Sequence, residues 1–305
     1  MSIARILDLR PEELVKVTAR DLLAAIRAAE GRTILAEVIC PVMPILYDVG
    51  NAELVAAMGA DIILLNLYNA QQPAVFGLSP VTGQSVIDAV KGLIGRPVGV
   101  NLEAVDWDSD VQGERVKVER GRLATPENAR LAYEQGACMI TVTGNPGTGV
   151  TNSQIKQAVT QIRAELGENI IITAGKMHAA GVGGGAGDIF LSQAEVGGFL
   201  SAGADIILIP APGTIPGITV DSAREVAAYV HGHGGLVMTA VGTSQEGADT
   251  QTIRTIALNA KMAGADIHHI GDSGYMGIAV PENIMNYSIA VRGRRHTFRR
   301  MAMRV

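Results

Sequence analysis

A short motif recurs four times along the chain and restricts the folds that it can adopt. Each copy joins a glycine and an alanine to one further residue and then to a run of apolar, often β-branched residues. The copies begin at Gly59, Gly136, Gly203 and Gly264. The intervals between them, of about 60 to 80 residues, are too long for one βα unit and fit two. Each interval should therefore contain one more strand.

Candidate strands are found in every interval. Apolar runs cover residues 97–102, 170–174 and 236–241, and another run at residues 33–40 precedes the first copy of the motif. The runs are continuous rather than alternating, which is typical of parallel strands covered on both faces. Between the strands, helical patterns cover residues 51–58, 83–93, 153–166, 192–201, 221–231 and 250–263, and Thr125 followed by Pro126 marks the start of a further helix.

Eight strands alternating with helices predict an α/β fold, namely a (β/α)8 TIM barrel over residues 33–305. An open doubly wound sheet is the alternative, and it would need fewer strands and a point where the strand order reverses. Residues 1–32 are predicted to form an N-terminal helical extension. Its amphipathic part, at residues 18–29, would close the N-terminal end of the barrel.

Composition excludes several other classes of protein. The chain is 48% hydrophobic with a net charge of −5, so it is not disordered, and its mildly acidic balance argues against nucleic-acid binding. No apolar run reaches the roughly 18 residues of a membrane-spanning helix, and the N-terminus lacks a signal-peptide pattern. Cys40 and Cys138 lie in apolar segments, as buried reduced thiols do. We expect a cytoplasmic protein that binds neither nucleic acid nor membrane.

The C-terminal segment is strongly basic. It carries Arg292, Arg294, Arg295, Arg299, Arg300 and Arg304. We interpret it as a solvated helix end or a subunit contact rather than as an arm that binds anions or RNA. Because barrels often pair, we expect a homo-oligomer in which this segment could take part.

The loops after the strands are where a TIM barrel places its catalytic groups. Those after the last two strands are rich in glycine and hydroxyl groups, as in barrels that bind phosphate there. We predict that they hold the anionic group of a small metabolite, although Glu246 and Asp272 would repel it. The predicted substrate-binding residues are Gly242, Thr243, Ser244, Gly271, Asp272, Ser273 and Gly274, together with Asn66 and Asn101, which would orient the substrate.

Lys176 and His178 follow the fifth strand and are two residues apart, so both could point the same way if the strand continues. The lysine could be a Schiff-base nucleophile, a proton carrier or an anion clamp, or it could simply reach solvent. His268 and His269 are adjacent in the eighth strand, so one should face the barrel and the other the helices, each as a core histidine.

An acidic run follows the third strand and includes Glu103, Asp106, Asp108 and Asp110. Carboxylates suit a hard ion such as Mg²⁺, and a solvated acidic loop is the alternative. The glycine-dense residues 181–187 lack the spacing of a dinucleotide fingerprint, so no organic cofactor is indicated. That segment could be a lid over the site or a plain loop.

The stretch 44–66 resembles the first βαβ unit of the phosphoenolpyruvate mutase / isocitrate lyase superfamily. Pro44, Tyr47, Asp48, Ala52 and Gly59 match its pattern without a gap. The resemblance covers about 25 residues well and the rest of the chain only as a barrel. It implies a distant relative of that superfamily, or a separate bacterial barrel family.

Beyond this unit the chain departs from the superfamily's pattern. The family has a serine-glycine pair after the second strand, where this chain has Asn66 and Leu67, and its Asp-x-Asp magnesium motif corresponds here to Asn101-Leu102-Glu103. The family's glutamate-aspartate pair after the fourth strand is absent, and Lys176 lies near the position of its arginine after the fifth. The resemblance implies lyase or mutase chemistry with Mg²⁺ at Glu103, in a site that has changed.

These observations predict an enzyme that acts on a small phosphorylated or carboxylated metabolite by lyase or isomerase chemistry, through an enolate-like intermediate. Lys176 or His178 would move a proton, while Glu103, with Asp48, would bind Mg²⁺ or act as the base. A metal-dependent hydrolase on the same barrel and a non-catalytic binding or regulatory barrel are the alternatives.

Overall fold

Eight parallel strands close into a barrel in chain order, so the predicted (β/α)8 fold is confirmed. The computed structural model describes residues 4–78, 85–109, 111, 113–178 and 192–303. Strand β1 pairs with β2 on one side and with β8 on the other, which closes the barrel. The strands are β1 (Thr33–Ile39), β2 (Ile62–Asn66), β3 (Val98–Glu103), β4 (Met139–Thr143), β5 (Ile171–Gly175), β6 (Ile206–Pro210), β7 (Leu236–Val241) and β8 (Ile267–Ile270).

Helices surround the strands and lie close to the positions predicted from the sequence. They are α1 (Pro11–Leu14), α2 (Ala19–Arg27), α3 (Asn51–Ala57), α4 (Val86–Ile94), α5 (Pro126–Glu134), α6 (Asn152–Leu166), α7 (Gln193–Ala202), α8 (Val220–Gly232), α9 (Thr250–Met262) and α10 (Pro281–Ala302). Side chains cap many of them: Thr125 accepts a hydrogen bond from the backbone of Asn128, which explains the start of α5. Helix α10 comprises two segments that meet at Gly293, where the backbone leaves helical geometry.

The recurring glycine-alanine motif ends a helix and starts a strand in each of its four copies. Gly59, Gly136, Gly203 and Gly264 have φ angles of 104°, 106°, 108° and 94°, in the region that only glycine adopts without strain. The motif is therefore structural, and it lies at the end of the barrel opposite the carboxyl ends of the strands.

The third residue of each motif fixes a neighbouring strand. Asp61, Asp205 and Asp266 accept hydrogen bonds from the backbone N–H groups of Ile34, Ile172 and Val237, at 2.9, 2.9 and 2.8 Å. In the fourth copy, the Cys138 thiol donates instead to the carbonyl of Val98 at 3.2 Å. Every even-numbered strand is thus tied to the preceding strand by a side chain just before it begins.

The C-terminal arginines are partly buried, which corrects the interpretation of this segment as a solvated end. Arg292 and Arg300 of α10 both bind the carboxylate of Asp61, which is completely buried. Arg96 is buried beside them and donates to the carbonyl oxygens of Ala60 and Arg300. Arg299 binds the backbone of Leu7 and Asp8, so the C-terminal helix also holds the N-terminal segment. Arg294 and Arg295 are exposed.

Apolar side chains fill the N-terminal half of the barrel, and helix α2 covers that end. Leu22 and Ile26 of α2 are completely buried in one cluster with strand residues that point inward. Those residues include Leu35, Ile62, Met139, Ile171, Ile206, Leu236 and Ile267. Several inward positions nearer the carboxyl ends are polar, among them Glu37, Asn66, Asn101 and Thr143, so we look for the candidate site there.

Across the described ranges, no helix is long and apolar enough to span a bilayer.

Candidate active site

A cleft of about 210 Å³ opens at the carboxyl ends of the strands. Seven of the eight strands, or the loops that follow them, contribute to its wall, and most of the lining residues are polar. They are Glu37, Ile39, Asn66, Asn101, Thr143, Gly144, Asn145, Pro146, Met177, His178, Gly242, Ser244, Glu246, Gly271, Asp272 and Gly274. A larger cavity of about 670 Å³ lies beside α2 at the other end, the end where residues serve the stability of a TIM barrel, so we place the candidate site in the smaller cleft.

A hydrogen-bonded network holds one wall of the cleft. The Asn66 amide donates to Glu37 Oε1 at 3.1 Å and to Asn145 Oδ1 at 2.9 Å. Glu37 Oε2 lies 3.2 Å from His269 Nε2, and both side chains are buried. The network joins β1, β2, the loop after β4, and β8, so the position of the Glu37 carboxylate depends on barrel closure. His268 faces the other way, toward Tyr287 of α10, as the alternation predicts.

Two further carboxylates face the cleft from the β7 and β8 loops. Glu246 is only 1% exposed, and burial raises the pKa of its carboxyl to about 8, with the nearby charges of Glu37 and Asp272 adding to the rise. The pKa of Asp272 is also raised, chiefly by burial. Glu246 Oε2 and Asp272 Oδ1 are buried and have no hydrogen-bond partner within the described part of the chain. Three carboxyl groups therefore share one small cleft.

His178 lines the cleft, whereas Lys176 does not. Burial lowers the pKa of His178, the charge of Glu37 opposes this, and the positive charge of Lys176 adds to the lowering, so the net effect favours the neutral imidazole. Lys176 is buried, and its charge also lowers the pKa of Glu195 on α7. It continues the alternation of Ile172 and Ala174, which pack in the layer between sheet and helices. The structure thus separates this lysine from the cleft wall, and the Schiff-base alternative gains no support.

Glu103 does not fit a magnesium ligand in this arrangement. Its Oε1 binds the guanidinium of Arg122, and its Oε2 accepts a hydrogen bond from the backbone N–H of Asn145. Both oxygens are thus engaged, and no three His, Cys, Asp or Glu side chains converge as a metal site in the described ranges. Glu103 holds the loops after β3 and β4 in place. Asp110 and residues 181–187, predicted as acidic ligand and lid, lie outside the described residues.

The turns after β7 and β8 are only partly as predicted. Gly242, Ser244, Gly271, Asp272 and Gly274 line the cleft, as do Asn66 and Asn101. The Thr243 and Ser273 hydroxyls donate instead to the backbone carbonyls of Thr214 and Ile278, at 3.0 and 2.9 Å. These two residues stabilise the turns and do not line the cleft. Asp48 is exposed on the loop after β1 and is not part of the cleft wall.

Close approach explains one of the glycines at this site. A Cβ atom on Gly271 would lie 2.8 Å from Glu246 Oε1 and 3.0 Å from the carbonyl oxygen of Val241. The absence of a side chain therefore makes room for the Glu246 carboxylate.

Ser244 has a φ of 71°, a strained conformation for a residue other than glycine, of a kind that often marks functional turns.

Glu37, Glu246 and His269 were not among the predicted catalytic residues. Glu37 lies inside an apolar strand, and a charged residue in such a run is a signal that it faces a polar interior. Glu246 was considered only as an obstacle to anion binding. The presence of Glu246 and Asp272 in neighbouring loops was itself a signal of an acid–base site, because carboxylates that share a site acquire raised pKa values.

Comparisons with known proteins agree with the fold. An archaeal fructose 1,6-bisphosphate aldolase structure matches with a TM-score of 0.55 and 15% identity, covering 92% of this chain and 98% of the other. A structure of 2,3-dimethylmalate lyase, described as a PEP mutase/isocitrate lyase superfamily member, matches with a TM-score of 0.48 and 16% identity, covering 83% and 81%.

A search of curated proteins finds no match. A family model described as "Domain of unknown function (DUF7916)" matches residues 7–305, almost the whole sequence. The chain belongs to the DUF7916 family.

Proposed function

We propose that this protein is a TIM-barrel enzyme of the lyase or isomerase type, which moves protons next to a carbonyl group of a small metabolite. The observation that carries the proposal is Glu246: a buried carboxyl with one unpartnered oxygen facing the cleft and a pKa of about 8. A group that titrates near the working pH is well suited to give and take protons.

In this scheme the Glu246 carboxylate takes a proton from the carbon beside the carbonyl. The electron pair of that C–H bond moves into the C–C bond, and the carbonyl oxygen takes up the negative charge as an enolate. Return of that proton to the former carbonyl carbon, with transfer of the proton of a hydroxyl group on the first carbon to the former carbonyl oxygen, completes an isomerisation. In a lyase, the base instead removes the proton of a hydroxyl group on the β-carbon; the bond between the α- and β-carbons breaks, its electron pair forms the enolate, and the β-carbon leaves as a second carbonyl group. Neutral His178, on another part of the wall, supplies or accepts the second proton.

The opposite wall offers a partner for the developing charge. Thr143 Oγ1 is buried and has no hydrogen-bond partner within the described ranges, so its hydroxyl would donate to the enolate oxygen. Such a preorganised donor in a site of low dielectric constant acts where charge develops. Asn101 is beside it, one strand away, and would orient the substrate.

A phosphate or carboxylate of the substrate would not face the β7 and β8 turns, where Glu246 and Asp272 lie. We propose instead that it faces the His178 side of the cleft, where Lys176, which lies behind the wall, contributes a positive charge without contacting the substrate. In this proposal the ion pair of Glu103 and Arg122 positions the loops after β3 and β4 and does not bind a metal.

The test is exchange of carbon-bound hydrogen with solvent, followed by NMR in D₂O with a panel of keto acids, amino acids and phosphorylated aldehydes and ketones. We expect exchange for at least one compound, and Glu246→Gln should slow it by about 100-fold or more. The control is Glu225→Gln on the exposed face of α8, which makes the same chemical change far from the cleft.

Two results would count against the proposal. Equal rates in the wild type and in Glu246→Gln would remove Glu246 from the chemistry. The absence of exchange for every compound, together with no thermal stabilisation by any of them, would favour the non-catalytic barrel.

A further inference from the structure

The polar groups left without partners in the cleft are unevenly divided between donors and acceptors. Glu246 Oε2 and Asp272 Oδ1 accept hydrogen bonds and, when ionised, cannot donate them. The Asn101 carbonyl oxygen is a further unpartnered acceptor that lines the cleft, and the Thr143 hydroxyl is the one unpartnered group among the described lining residues that can donate. A ligand that satisfies this wall must therefore supply several N–H or O–H groups.

The charges on the same wall have one sign. The charges that act on Glu246 are those of Glu37 and Asp272, and the charge that acts on Asp272 is that of Glu37. Glu37 is hydrogen-bonded to His269, whereas Glu246 and Asp272 have no ion pair in the described part of the chain. Burying like charges together is costly unless an opposite charge joins them.

We infer that the substrate of this site carries a primary ammonium group, which binds among Glu246, Asp272 and Glu37 at the β7, β8 and β1 side of the cleft. The inference rests on the proposed function and narrows it to amine-bearing metabolites. An ammonium group has three donors and no acceptor, so it matches both the unpartnered oxygens and the charge. A small amino acid or an aminoalkyl phosphate would fit this arrangement, with its ammonium group at the Glu246 and Asp272 wall and its anionic group at the His178 side of the cleft.

Other occupants satisfy fewer of these observations. The described residues contain no group of three or more His, Cys, Asp and Glu side chains that could hold a metal ion, so a divalent cation here would have to take most of its ligands from water or substrate. A neutral hydroxyl could meet one acceptor, but it would leave the carboxylates uncompensated. A phosphate on this wall would meet Glu246 and Asp272 directly.

The proton balance of binding provides a sharp readout. Near pH 7, Glu246 is mostly protonated in the free protein, and an ammonium ion favours its ionised form. Binding should therefore release a proton, and affinity should rise about tenfold from pH 6 to pH 7 and level off above about pH 8. The titratable and charged groups facing Glu246 are Glu37 and Asp272, with His269 and His178 beyond them and Lys176 behind His178.

The experiment compares matched pairs of compounds by thermal shift and by calorimetry in two buffers of different ionisation enthalpy. The pairs are serine and glycerate, alanine and lactate, and phosphoethanolamine and ethyl phosphate. We expect the amine member of at least one pair to raise the melting temperature and to release close to one proton at pH 7, while its partner does neither. Glu246→Gln and Asp272→Asn should each weaken binding about tenfold or more, and Glu225→Gln should not.

Several outcomes would overturn the inference. They are equal or tighter binding of the hydroxyl compounds, no stabilisation by any amine, undiminished amine binding in both cleft variants, or a shift produced by Mg²⁺ alone that depends on Glu246. Asp272 is half-buried, so its variant remains informative if Glu246→Gln fails to fold. Glu246-dependent hydrogen exchange on keto compounds without amine binding would refute this inference and leave the proposed function standing.

Discussion

Among single residues, Glu246 is the one whose surroundings are most specific. It is buried beside two other carboxyl groups, and its Oε1 occupies the space that a side chain on residue 271 would need. The backbone carbonyl of Glu246 also accepts a hydrogen bond from Asn283 at 2.8 Å, which ties the β7 loop to the start of α10. These contacts hold the carboxyl group in a buried position beside like charges, so its ionisation lowers the stability of the folded protein.

The pH dependence of stability should reveal this cost. The pKa of Glu246 rises from about 4.5 to about 8 on folding, so between these values the folded state holds a proton that the unfolded state has lost. The stabilisation is complete below pH 4.5 and disappears as the pH rises through 8, at up to about 1.4 kcal/mol per pH unit. Glu246→Gln should remove this slope. Urea unfolding of both proteins at pH 5.5 and 8 measures the change in the free energy of unfolding with pH. The same change in the wild type and in Glu246→Gln would contradict the assignment.

Gly271→Ala tests whether the Glu246 carboxylate needs the space next to residue 271. The new methyl group must displace Glu246 Oε1 or the backbone of Val241, so we expect hydrogen exchange or amine binding to fall about 10- to 100-fold. The matched control is Gly247→Ala, where the nearest atoms would be 3.5 and 3.8 Å away. Exchange rates and thermal unfolding of both variants distinguish a displaced site from a damaged fold. Wild-type rates in Gly271→Ala would show that the fit is unimportant.

At the scale of elements, the recurring motif and the C-terminal helix together form the closed end of the barrel. Three of the four motifs carry an aspartate that binds a neighbouring strand and also a cation from elsewhere. Asp61 pairs with Arg292 and Arg300, Asp205 with Arg20 and Arg163, and Asp266 with His231. Each aspartate thus connects a strand to a helix elsewhere in the chain, and Asp61 gives Arg292 and Arg300 of the basic C-terminal segment a structural role.

Asp61→Asn should be strongly destabilising, because it leaves two buried guanidinium groups without their counter-charge. Breaking one partner of a buried ion pair costs about 3–5 kcal/mol. Asp221→Asn on α8 is the matched control, since its contact with Arg224 is largely exposed and should contribute little. Denaturant unfolding measures both. A loss for Asp61→Asn no larger than that of the control would mean that α10 is held mainly by its apolar contacts.

For the whole molecule, the sequence predicts the architecture better than the site. The strands could be located because each parallel strand is a local apolar run, and β2 and β7 begin and end where predicted. The site depends on which strands meet, and the approach of Glu37 to His269 follows only from the pairing of β1 with β8. The predicted roles of Asp48 and Lys176 relied on sequence position after a strand, which does not determine whether a side chain faces the cleft.

The N-terminal segment belongs to the same closed end, and its contribution can be measured with one substitution. Ile26 of α2 is completely buried against inward-facing strand residues, so Ile26→Ala should leave a cavity beneath the barrel and cost about 2–5 kcal/mol. Ile45→Ala removes the same atoms from a residue that is 41% exposed on the loop after β1, and it should cost far less. Urea unfolding of both variants gives the comparison. Because α2 lies at the end opposite the cleft, Glu246-dependent hydrogen exchange should persist in folded Ile26→Ala protein. Similar stabilities of the two variants would mean that α2 adds little to the barrel, which would then be stabilised by its strands and outer helices alone.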